Sequence, residues 1–415
     1  MSKGHWCISA RPWRRLAGAG TAVLVLGSVA FAASAAGATV NGPGPSSQSA
    51  KAGSVQGTLN AVSCTAPTSC TAVGSYVRSG NTLTLAEAWN GSNWTIQPTP
   101  NPAGGTDNVL FGVSCGSSGA CLAIGSQGNA AALAEFWNGT SWAMENVPLP
   151  AGALGGFLVS VSCSSASECM AVGDYADSSN TNVALAESWS GGAFTVQSVP
   201  APVGATTNVL EAVGCSPSPS ADCEAVGWNY VSGDSEVAMT LAEGWNGTSW
   251  TIQGTPRPID SSGGSYPTGM SCASPTACTS VGEAFNGSGE AAGAWAQRWN
   301  GDSWSNQKVP LPEGGLFSIP SAVSCRSTVT CTLVGYYSNG SAFVSLAEGW
   351  NGTKWSVETT PQPSGSTASS FGGVSCTPPR TCTAVGDETN SSGIPVTLAE
   401  RWNGTNWTLQ RTPRP

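Results

Sequence analysis

The sequence repeats one unit about every fifty residues from Leu59 to the C-terminus. In outline, each unit reads as a Val-Ser-Cys-like segment, a second cysteine that opens a segment close to Cys-x-Ala-Val-Gly, a segment close to Leu-Ala-Glu-x-Trp and, in six units, an Asn-Gly turn. A repeat of this length is typical of β-propellers and solenoids. Seven units are present, and their first cysteines are Cys64, Cys115, Cys163, Cys215, Cys272, Cys325 and Cys376.

Each unit predicts four β-strands, A to D, because four runs rich in Val, Thr, Ile and Trp are separated by Gly, Asn, Ser and Pro. The connection between strands C and D is the best defined, since Asn90-Gly91 suits a tight hairpin turn. In the third unit, Ser190-Gly191-Gly192 and Phe194 replace this turn and its second tryptophan. Seven sheets closed around an axis cover every face except the rims. Residues 59–415 are therefore predicted to form an all-β, seven-bladed β-propeller with four antiparallel strands per blade; a β-solenoid is the alternative.

The paired signatures Ser-Cys…Cys-x-Ala-Val-Gly and Trp-Asn-Gly-x-x-Trp resemble those of secreted actinobacterial seven-repeat proteins, whose layout is related to kelch-type propellers. The resemblance covers residues 59–415 and implies a propeller fold. Kelch strands carry a double glycine in the second strand, whereas Val73-Gly74 and its equivalents have one. A kelch-like function therefore does not follow.

The N-terminus has the order of a secretory signal peptide. Basic residues including Arg11 and Arg15 precede an apolar stretch over 21–33 and small residues that end at Ala38. We therefore expect residues 1–38 to be a signal peptide and residues 39–58, rich in Ser, Gly and Pro, to be a flexible leader. No later segment approaches ~20 apolar residues, so no retained membrane anchor is expected. The predicted protein is secreted, extracellular and monomeric.

Fourteen cysteines remain after residue 38, two in each unit. Each pair brackets its own A–B hairpin, where cross-strand neighbours come within bridging distance. An even number in an exported chain indicates disulfides, whereas zinc sites use shorter spacings and often histidine. The predicted pairs are Cys64/Cys70, Cys115/Cys121, Cys163/Cys169, Cys215/Cys223, Cys272/Cys278, Cys325/Cys331 and Cys376/Cys382.

Charge and composition exclude several function classes. Without residues 1–38 the chain has 11 basic and 24 acidic residues, a formal net charge of −13, which argues against nucleic acid and anionic membranes. The single histidine, His5, lies in the predicted signal peptide, so Ser-His-Asp chemistry and histidine-ligated metals are not expected. No cofactor or metal is predicted, although Asp174, Asp177 and Asn180 are a loosely spaced calcium alternative.

The glutamate of Leu-Ala-Glu recurs in six units, and the fifth unit has Gln297 instead. Alternation places it on the same face as the preceding leucine, which favours a structural hydrogen bond between blades over general acid–base chemistry. An amide at Gln297 can replace the acceptor role of a carboxylate. The six glutamates are Glu87, Glu135, Glu187, Glu243, Glu348 and Glu400.

Function is expected on the rim where the units differ. The A–B and C–D turns form one nearly invariant rim, and the B–C and D–A loops form the other, variable rim. Aromatic, carboxylate and amide side chains follow the strand B glycine there, and such groups suit a glycan or protein ligand. Asp174, Glu283, Asp387 and Glu388 leave a carboxylate-based glycan hydrolase or lyase as an alternative, and a structural surface protein is a third. No catalytic residue is assigned, and the candidate contacts are Tyr76, Asp174, Tyr175, Trp228, Tyr230, Glu283, Tyr336, Tyr337 and Asp387.

Overall fold

The computed structural model describes residues 56–102, 105–128, 131–216, 222–231, 237–258 and 261–415. The predicted signal peptide and most of the predicted leader lie outside these residues. Gln56 to Thr58, which the sequence assigned to the leader, are the start of the first strand.

The described residues form twenty-eight strands in seven sheets, called blades 1 to 7 in chain order. Blade 1 contains β1 (Gln56–Ala66), β2 (Ser69–Arg78), β3 (Asn81–Trp89) and β4 (Trp94–Gln97). Blade 2 contains β5 (Asn108–Ser117), β6 (Ala120–Gln127), β7 (Ala131–Trp137) and β8 (Trp142–Glu145), and blade 3 contains β9 (Gly155–Cys163), β10 (Glu168–Ala176), β11 (Asn182–Ser190) and β12 (Ala193–Gln197). Blade 4 contains β13 (Ala205–Cys215), β14 (Cys223–Val231), β15 (Met239–Trp245) and β16 (Trp250–Gln253), and blade 5 contains β17 (Gly264–Ser274), β18 (Ala277–Phe285), β19 (Ala291–Trp299) and β20 (Trp304–Gln307). Blade 6 contains β21 (Phe317–Ser327), β22 (Thr330–Ser338), β23 (Phe343–Trp350) and β24 (Trp355–Glu358), and blade 7 contains β25 (Ala368–Thr377), β26 (Thr381–Thr389), β27 (Pro395–Trp402) and β28 (Trp407–Gln410).

Each blade is an antiparallel meander in the order A–B–C–D, which confirms the predicted seven-bladed propeller. The A strands of neighbouring blades contact one another and line a central channel, so strand A is innermost and strand D outermost. Cores of aliphatic, alanine and tryptophan side chains fill the space between consecutive blades. No helix in the described part of the chain is long and apolar enough to cross a membrane.

A β-bulge interrupts strand A at the same position in every blade. In blade 1 the register moves from Leu59↔Gly74 to Ala61↔Val73, which leaves Asn60 as the extra residue. A Cβ on Gly74 would lie 2.0 Å from the carbonyl oxygen of Thr58, and the glycine facing each other bulge is equally crowded. The glycine of Ala-Val-Gly is therefore required by close backbone approach at the bulge. The seven bulge residues are Asn60, Phe111, Val159, Glu211, Thr268, Ser321 and Gly372.

All seven predicted disulfides are confirmed. The two cysteines of each pair are direct cross-strand neighbours at the end of the A–B hairpin, with Cα atoms 3.9–4.0 Å apart. Each bridge closes a loop within one blade, so the disulfides fix hairpins and do not connect blades covalently. The bonded pairs are Cys64–Cys70, Cys115–Cys121, Cys163–Cys169, Cys215–Cys223, Cys272–Cys278, Cys325–Cys331 and Cys376–Cys382.

The two cysteines of a bridge differ in their burial. In six blades the first cysteine is half-buried, whereas the second is 0–7% exposed and packs in the core against the preceding blade. These six are Cys70, Cys121, Cys169, Cys278, Cys331 and Cys382. In blade 4 both Cys215 and Cys223 are buried. The second cysteines therefore form part of the blade interfaces and are not accessible to a ligand, a role that their sequence spacing did not reveal.

The serine of Val-Ser-Cys joins each blade to the next one. The Ser63 hydroxyl accepts a hydrogen bond from the Cys115 backbone N–H at 3.0 Å, and five other interfaces repeat this bond. The interface between blades 4 and 5 is the exception, because Gly214 replaces the serine.

The strand D tryptophan provides a second bond between blades. The Trp142 indole N–H donates to Gln97 at the end of strand D of the preceding blade, at 3.0 Å. The same bond is made by Trp94, Trp304, Trp355 and Trp407, whose acceptors are Gln410, Gln253, Gln307 and Glu358. In the third unit Phe194 replaces the strand D tryptophan and has no N–H to donate. This blade therefore lacks the hydrogen bond to the preceding blade but keeps an aromatic ring in the core.

The Asn-Gly turns owe their shape to both residues. Asn90 Oδ1 accepts hydrogen bonds from the backbone N–H groups of Ser92 and Asn93, both at 2.9 Å, and Gly91 has a φ of 95°. The asparagine therefore acts through its side chain while the glycine supplies the positive φ. The other five Asn-Gly turns repeat both features.

The ring closes without a shared blade. Blades 7 and 1 meet through the bonds used elsewhere, since Cys64 N–H donates to Ser375 Oγ at 2.9 Å and Trp94 donates to Gln410 at 3.3 Å. After β28 the chain continues along the path of a D–A linker, where the Thr412 hydroxyl donates to Thr397. Closure therefore relies on noncovalent contacts alone.

The repeated glutamates are buried, but the structure corrects the expected acceptor role. All six side chains are 0 % exposed, and their carboxylate oxygens make no hydrogen bond of normal geometry to the described residues. In contrast, Gln297 donates from Nε2 to the Pro256 carbonyl oxygen of blade 4 at 2.6 Å and to Asn306 Oδ1 at 2.9 Å. At this position the amide of Gln297 therefore acts as a donor in blade 5.

The residue opposite this glutamate on strand D explains its environment. Ile252 lies across from Glu243, and aliphatic or methionine side chains face the other five glutamates, whereas Asn306 faces Gln297. Burial raises the pKa of Glu87, Glu135, Glu187, Glu243, Glu348 and Glu400 from 4.5 to about 8, and for Glu135 the Thr84 hydroxyl offsets part of the rise.

We predict that Ser375→Ala weakens ring closure. The substitution leaves the Cys64 N–H without its acceptor and should lower the free energy of unfolding by about 1 kcal/mol. Chemical denaturation measures this change, and Ser63→Ala is the matched control at an interface within the chain. A linker joins each pair of consecutive blades, but none joins blade 7 to blade 1, so this interface can open locally when its contacts weaken. Hydrogen exchange in β1 should therefore rise only in Ser375→Ala. Equal exchange in both variants contradicts the prediction.

We predict that the six glutamates make the propeller less stable at alkaline pH. Their pKa is higher in the folded than in the unfolded chain, so their contribution is complete below pH 4.5 and is lost as the pH rises through 8. Glu243→Gln should raise the free energy of unfolding at pH 9 by about 1 kcal/mol or more and flatten its pH dependence. Gln297→Glu should do the opposite. Melting temperatures at pH 5, 7 and 9 test this, and parallel pH profiles for the three proteins contradict it.

Candidate functional site

The variable rim is built from the two residues that follow the glycine of each strand B. Because side chains alternate along a strand, the first residue and the second point to opposite faces of the blade. The first positions are Ser75, Ser126, Asp174, Trp228, Glu283, Tyr336 and Asp387. The second positions are Tyr76, Gln127, Tyr175, Asn229, Ala284, Tyr337 and Glu388.

The tyrosines at second positions pack against the preceding blade. Tyr76 contacts the core shared by blades 7 and 1, Tyr175 the core of blades 2 and 3, and Tyr337 the core of blades 5 and 6. All three side chains are half-buried. Much of each ring therefore stabilises the blade interface, and a ligand contact by these residues stays a prediction.

A cavity of about 360 Å³ adjoins Tyr175. It lies between strand C of blade 3 and the linker that follows β12. Its described walls carry no charged side chain. These walls are Pro150, Tyr175, Val183, Ala184, Leu185, Val196, Gln197, Ser198 and Val199.

The largest aromatic group on the variable rim lies between blades 4 and 5. The Trp228 ring contacts Tyr230 at a centroid distance of 5.1 Å and Tyr266 at 5.6 Å, and Tyr266 contacts Phe285 at 5.7 Å. All three pairs are edge-to-face, a favourable geometry for aromatic rings. Trp228, Tyr230 and Tyr266 are half-buried, whereas Phe285 is buried. The structure thus joins two predicted contacts, Trp228 and Tyr230, to Tyr266, which the sequence reasoning missed.

Polar atoms accompany these rings. The hydroxyl groups of Tyr230 and Tyr266 lie 3.3 Å apart, within hydrogen-bonding distance. The Trp228 indole N–H donates to Glu211 Oε1 at 3.1 Å. Glu211 is the bulge residue of β13 and the only charged residue among the seven bulge positions. An alignment of the seven repeats would therefore single out Glu211 in the sequence. We call Glu211, Trp228, Tyr230 and Tyr266 the aromatic rim cluster.

Two further predicted residues, Glu283 and Tyr336, lie on blades 5 and 6. Glu283 is 1 % exposed, directly across from Tyr266 in the β17–β18 pair, and its carbonyl oxygen accepts the Trp295 indole N–H at 2.9 Å. Burial and the nearby Glu283 carboxylate raise the pKa of the Tyr336 hydroxyl above its usual range. Tyr336 therefore keeps its proton and contacts Phe343 edge-to-face.

The carboxylates considered for catalysis lie on three different blades. Asp174, Glu283 and Asp387 hold the same position in blades 3, 5 and 7, and Glu388 follows Asp387 on the opposite face. Burial raises the pKa of Asp387 to about 6, and a hydrogen bond from the Ser370 hydroxyl at 3.3 Å offsets part of the rise. The seven-fold layout separates these acids and does not bring two of them onto one blade face.

The calcium alternative has a local explanation. Asp177 Oδ1 accepts hydrogen bonds from the backbone N–H groups of Ser179 and Thr181 at 2.8 and 2.9 Å, which shapes the B–C loop of blade 3. Among the described residues, no group of three or more His, Cys, Asp or Glu side chains is placed to hold a metal ion.

The central channel is narrow. Its volume is about 140 Å³, and the A strands of all seven blades line it, largely with Ala, Gly and Val residues. Backbone groups freed by the bulges find partners across blades, as where Asn60 Nδ2 donates to the Leu110 carbonyl oxygen at 2.8 Å. The space is small for a drug-sized ligand, which normally needs ~300 Å³ or more, so the rims are the better surfaces for binding.

No family model matches the sequence, and no curated protein matches it. Solved structures of similar fold include a lectin mutant from Aleuria aurantia in complex with Fucalpha1-6GlcNAc, which is 10% identical with a TM-score of 0.44 over 85% of this chain and 96% of that chain. Another is the β-propeller domain of the Trilobed protease from Pyrococcus furiosus, 7% identical with a TM-score of 0.48 over 85% and 95%. AofleA from Arthrobotrys oligospora is 13% identical with a TM-score of 0.44 over 72% and 83%. Similarities of this degree assign no ligand to this chain.

Proposed function

We propose that this protein is a secreted binding module whose variable rim takes an extracellular glycan, with the aromatic rim cluster as its main contact surface. The observation that carries the proposal is the association of partly exposed Trp228, Tyr230 and Tyr266 with two phenolic hydroxyls and a carboxylate. Aromatic faces stack on the apolar side of a sugar ring, and neighbouring hydroxyl and carboxylate groups orient its hydroxyls. No other group of rings on this rim combines these features among the described residues.

The low charge of the protein supports a neutral ligand. Only 9% of residues are charged, and the rim cluster contains one carboxylate and no basic side chain. An anionic ligand would find no cation in the cluster, whereas a neutral glycan needs only stacking and hydrogen bonds. The rigid strands that carry these residues hold the rings in place before the ligand arrives, which lowers the entropic cost of binding.

We predict that Trp228→Ala lowers glycan affinity by about ten-fold or more, because the indole provides the largest stacking surface in the cluster. A glycan array with residues 39–415 identifies the ligand, and isothermal titration with that ligand measures the loss. Phe343→Ala is the matched control, since Phe343 is an exposed aromatic residue of blade 6 on strand C.

Two results would contradict the proposal. One is binding that is unchanged in Trp228→Ala and in Tyr266→Ala while both variants keep the melting temperature of the parent protein. The other is an array without any bound glycan. Cleavage of a bound glycan during the titration would instead support the hydrolase or lyase alternative.

A further inference from the structure

The residue between the glutamate and the tryptophan of strand C contacts the next blade. In three blades it covers the strand C tryptophan of that next blade with a planar group. The Phe136 ring lies 4.8 Å from that of Trp189, and the guanidinium groups of Arg298 and Arg401 lie 5.8 and 5.7 Å from the rings of Trp350 and Trp89. In the other four blades the residue is small: Ala88, Ser188, Gly244 and Gly349.

The size of this residue decides how exposed the next tryptophan is. The three covered tryptophans, Trp89, Trp189 and Trp350, are 8%, 2% and 9% exposed. The four that face a small residue are only half-buried, so each small residue leaves an open slot at the invariant rim. These four are Trp137, Trp245, Trp299 and Trp402.

One slot, between blades 4 and 5, also contains a carboxylate. Glu224 lies directly across from Gly244 in the β14–β15 pair, whereas Thr279 and Thr383 lie across from Arg298 and Arg401. The point that a Cβ on Gly244 would occupy is 2.5 Å from Gln253 Nε2, at the flexible end of that side chain, and 3.4 Å from both Glu224 carboxylate oxygens. Glu224 is 9% exposed, and its Oε2 has no hydrogen-bond partner among the described residues.

Contacts connect this carboxylate to the open tryptophan. Gln253 Nε2 donates to Glu224 Oε1 at 3.2 Å, while Gln253 Oε1 accepts the Trp304 indole N–H at 2.7 Å. The Trp304 ring in turn packs on Trp299 at a centroid distance of 5.7 Å. A buried acceptor and a partly open indole therefore belong to the same slot.

We propose that this slot binds the side chain of an arginine supplied by a partner protein. The guanidinium group stacks on Trp299, as Arg298 and Arg401 stack on the equivalent tryptophans, and pairs with Glu224. Arginine suits the slot better than lysine, because its planar cation combines stacking on a ring with hydrogen bonds to a carboxylate. The negative net charge of the chain favours approach of a basic segment.

The other three open slots lack this combination. Thr71 and Met170 lie across from Ala88 and Ser188, so no carboxylate stands at those positions. At Gly349 the neighbouring Glu358 already accepts the Trp407 indole N–H at 2.8 Å. Burial raises the pKa of Glu358, and the Trp407 hydrogen bond and the nearby Arg326 offset part of the rise.

The acid–base behaviour of Glu224 agrees with this assignment. Burial raises the pKa of Glu224 to about 7, the hydrogen bond from Gln253 offsets part of the rise, and Asp222 adds to it. A guanidinium group in the slot stabilises the ionised form of Glu224. Binding of the arginine should therefore strengthen as the pH rises from 6 to 8.

Nuclear magnetic resonance of the indole N–H groups tests the proposal with two peptides, Ac-Gly-Arg-Gly-NH₂ and its citrulline analogue, which differ in charge but hardly in shape. The arginine peptide should shift the Trp299 signal, which Trp299→Phe assigns, at least about ten-fold more strongly than the citrulline peptide at equal concentration. Glu224→Thr, which places the residue found at Thr279, should reduce the response about ten-fold.

Gly244→Arg should abolish the response, because its own guanidinium would fill the slot as Arg298 does. Only the flexible end of Gln253 stands in the way of the new side chain. Should Gly244→Arg fail to fold, Glu224→Thr and Glu224→Gln give the same test. Equal shifts from both peptides, or an unchanged response in folded Glu224→Thr and Glu224→Gln, would overturn the proposal. Trp228→Ala, on the opposite rim, should leave the response unchanged, so this result is separable from that of glycan binding.

Discussion

The contact between adjacent blades is the interaction on which this propeller depends. A four-stranded meander buries little by itself, so the fold requires seven interfaces that include the one between the two chain ends. Most interfaces combine alanine, valine and tryptophan packing with a hydrogen bond from a backbone N–H to a serine hydroxyl, and five add a hydrogen bond from an indole to a strand D side chain. Small residues such as Ala72 and Ala86, both fully buried, let the sheets approach closely. The last interface uses the same contacts as the others, which is why the ring closes without exchanging a strand.

Much of this architecture could be predicted from the sequence, because seven copies within one chain act as an internal comparison. The strand order, the Asn-Gly turns and the local disulfides follow from residues that barely vary. Covarying pairs carry more detail. A hydroxyl pair such as Thr84 and Thr99, bonded at 2.8 Å, fixes the linker to strand C in four blades. The remaining three blades have alanine and valine at the same two positions, fifteen residues apart: Ala132 and Val147, Ala184 and Val199, and Ala294 and Val309.

The sequence does not reveal features that depend on which residues from different strands lie close together in the fold. The β-bulge cannot be seen in the sequence, so the glycine facing it looked like an ordinary strand residue. Gln297 looked like an acceptor, whereas its neighbours make it a donor. Tyr266 was missed because it lies on strand A, and only the β17–β18 pairing places it beside Trp228. Tyr76, Tyr175 and Tyr337 are candidate contacts in the sequence, and the structure packs part of each ring against the preceding blade.

The cysteines show the same limit. Their spacing was enough to predict each partner, because a short hairpin leaves one cross-strand neighbour within reach. It could not show that the two sulfurs of a bridge lie in different surroundings, since that depends on how the next blade packs. Cys121, for example, is 1% exposed in the core of blades 1 and 2, while its partner Cys115 is half-buried. A bridge that closes only its own hairpin therefore also contributes apolar surface to the interface.

Departures from the repeat concentrate at the interface of blades 4 and 5. There Gly214 replaces the bridging serine, Glu224 a threonine, Gln297 the buried glutamate and Trp295 the leucine of Leu-Ala-Glu. The ring closes at the other six interfaces without these four changes, so closure alone does not require them. The changes also reach both rims, since Trp228 and Tyr266 lie at one end of the interface and Glu224 and Trp299 at the other. Because packed sheets separate the two ends, the proposed glycan site at one rim and the proposed arginine slot at the other lie on separate surfaces of a single interface.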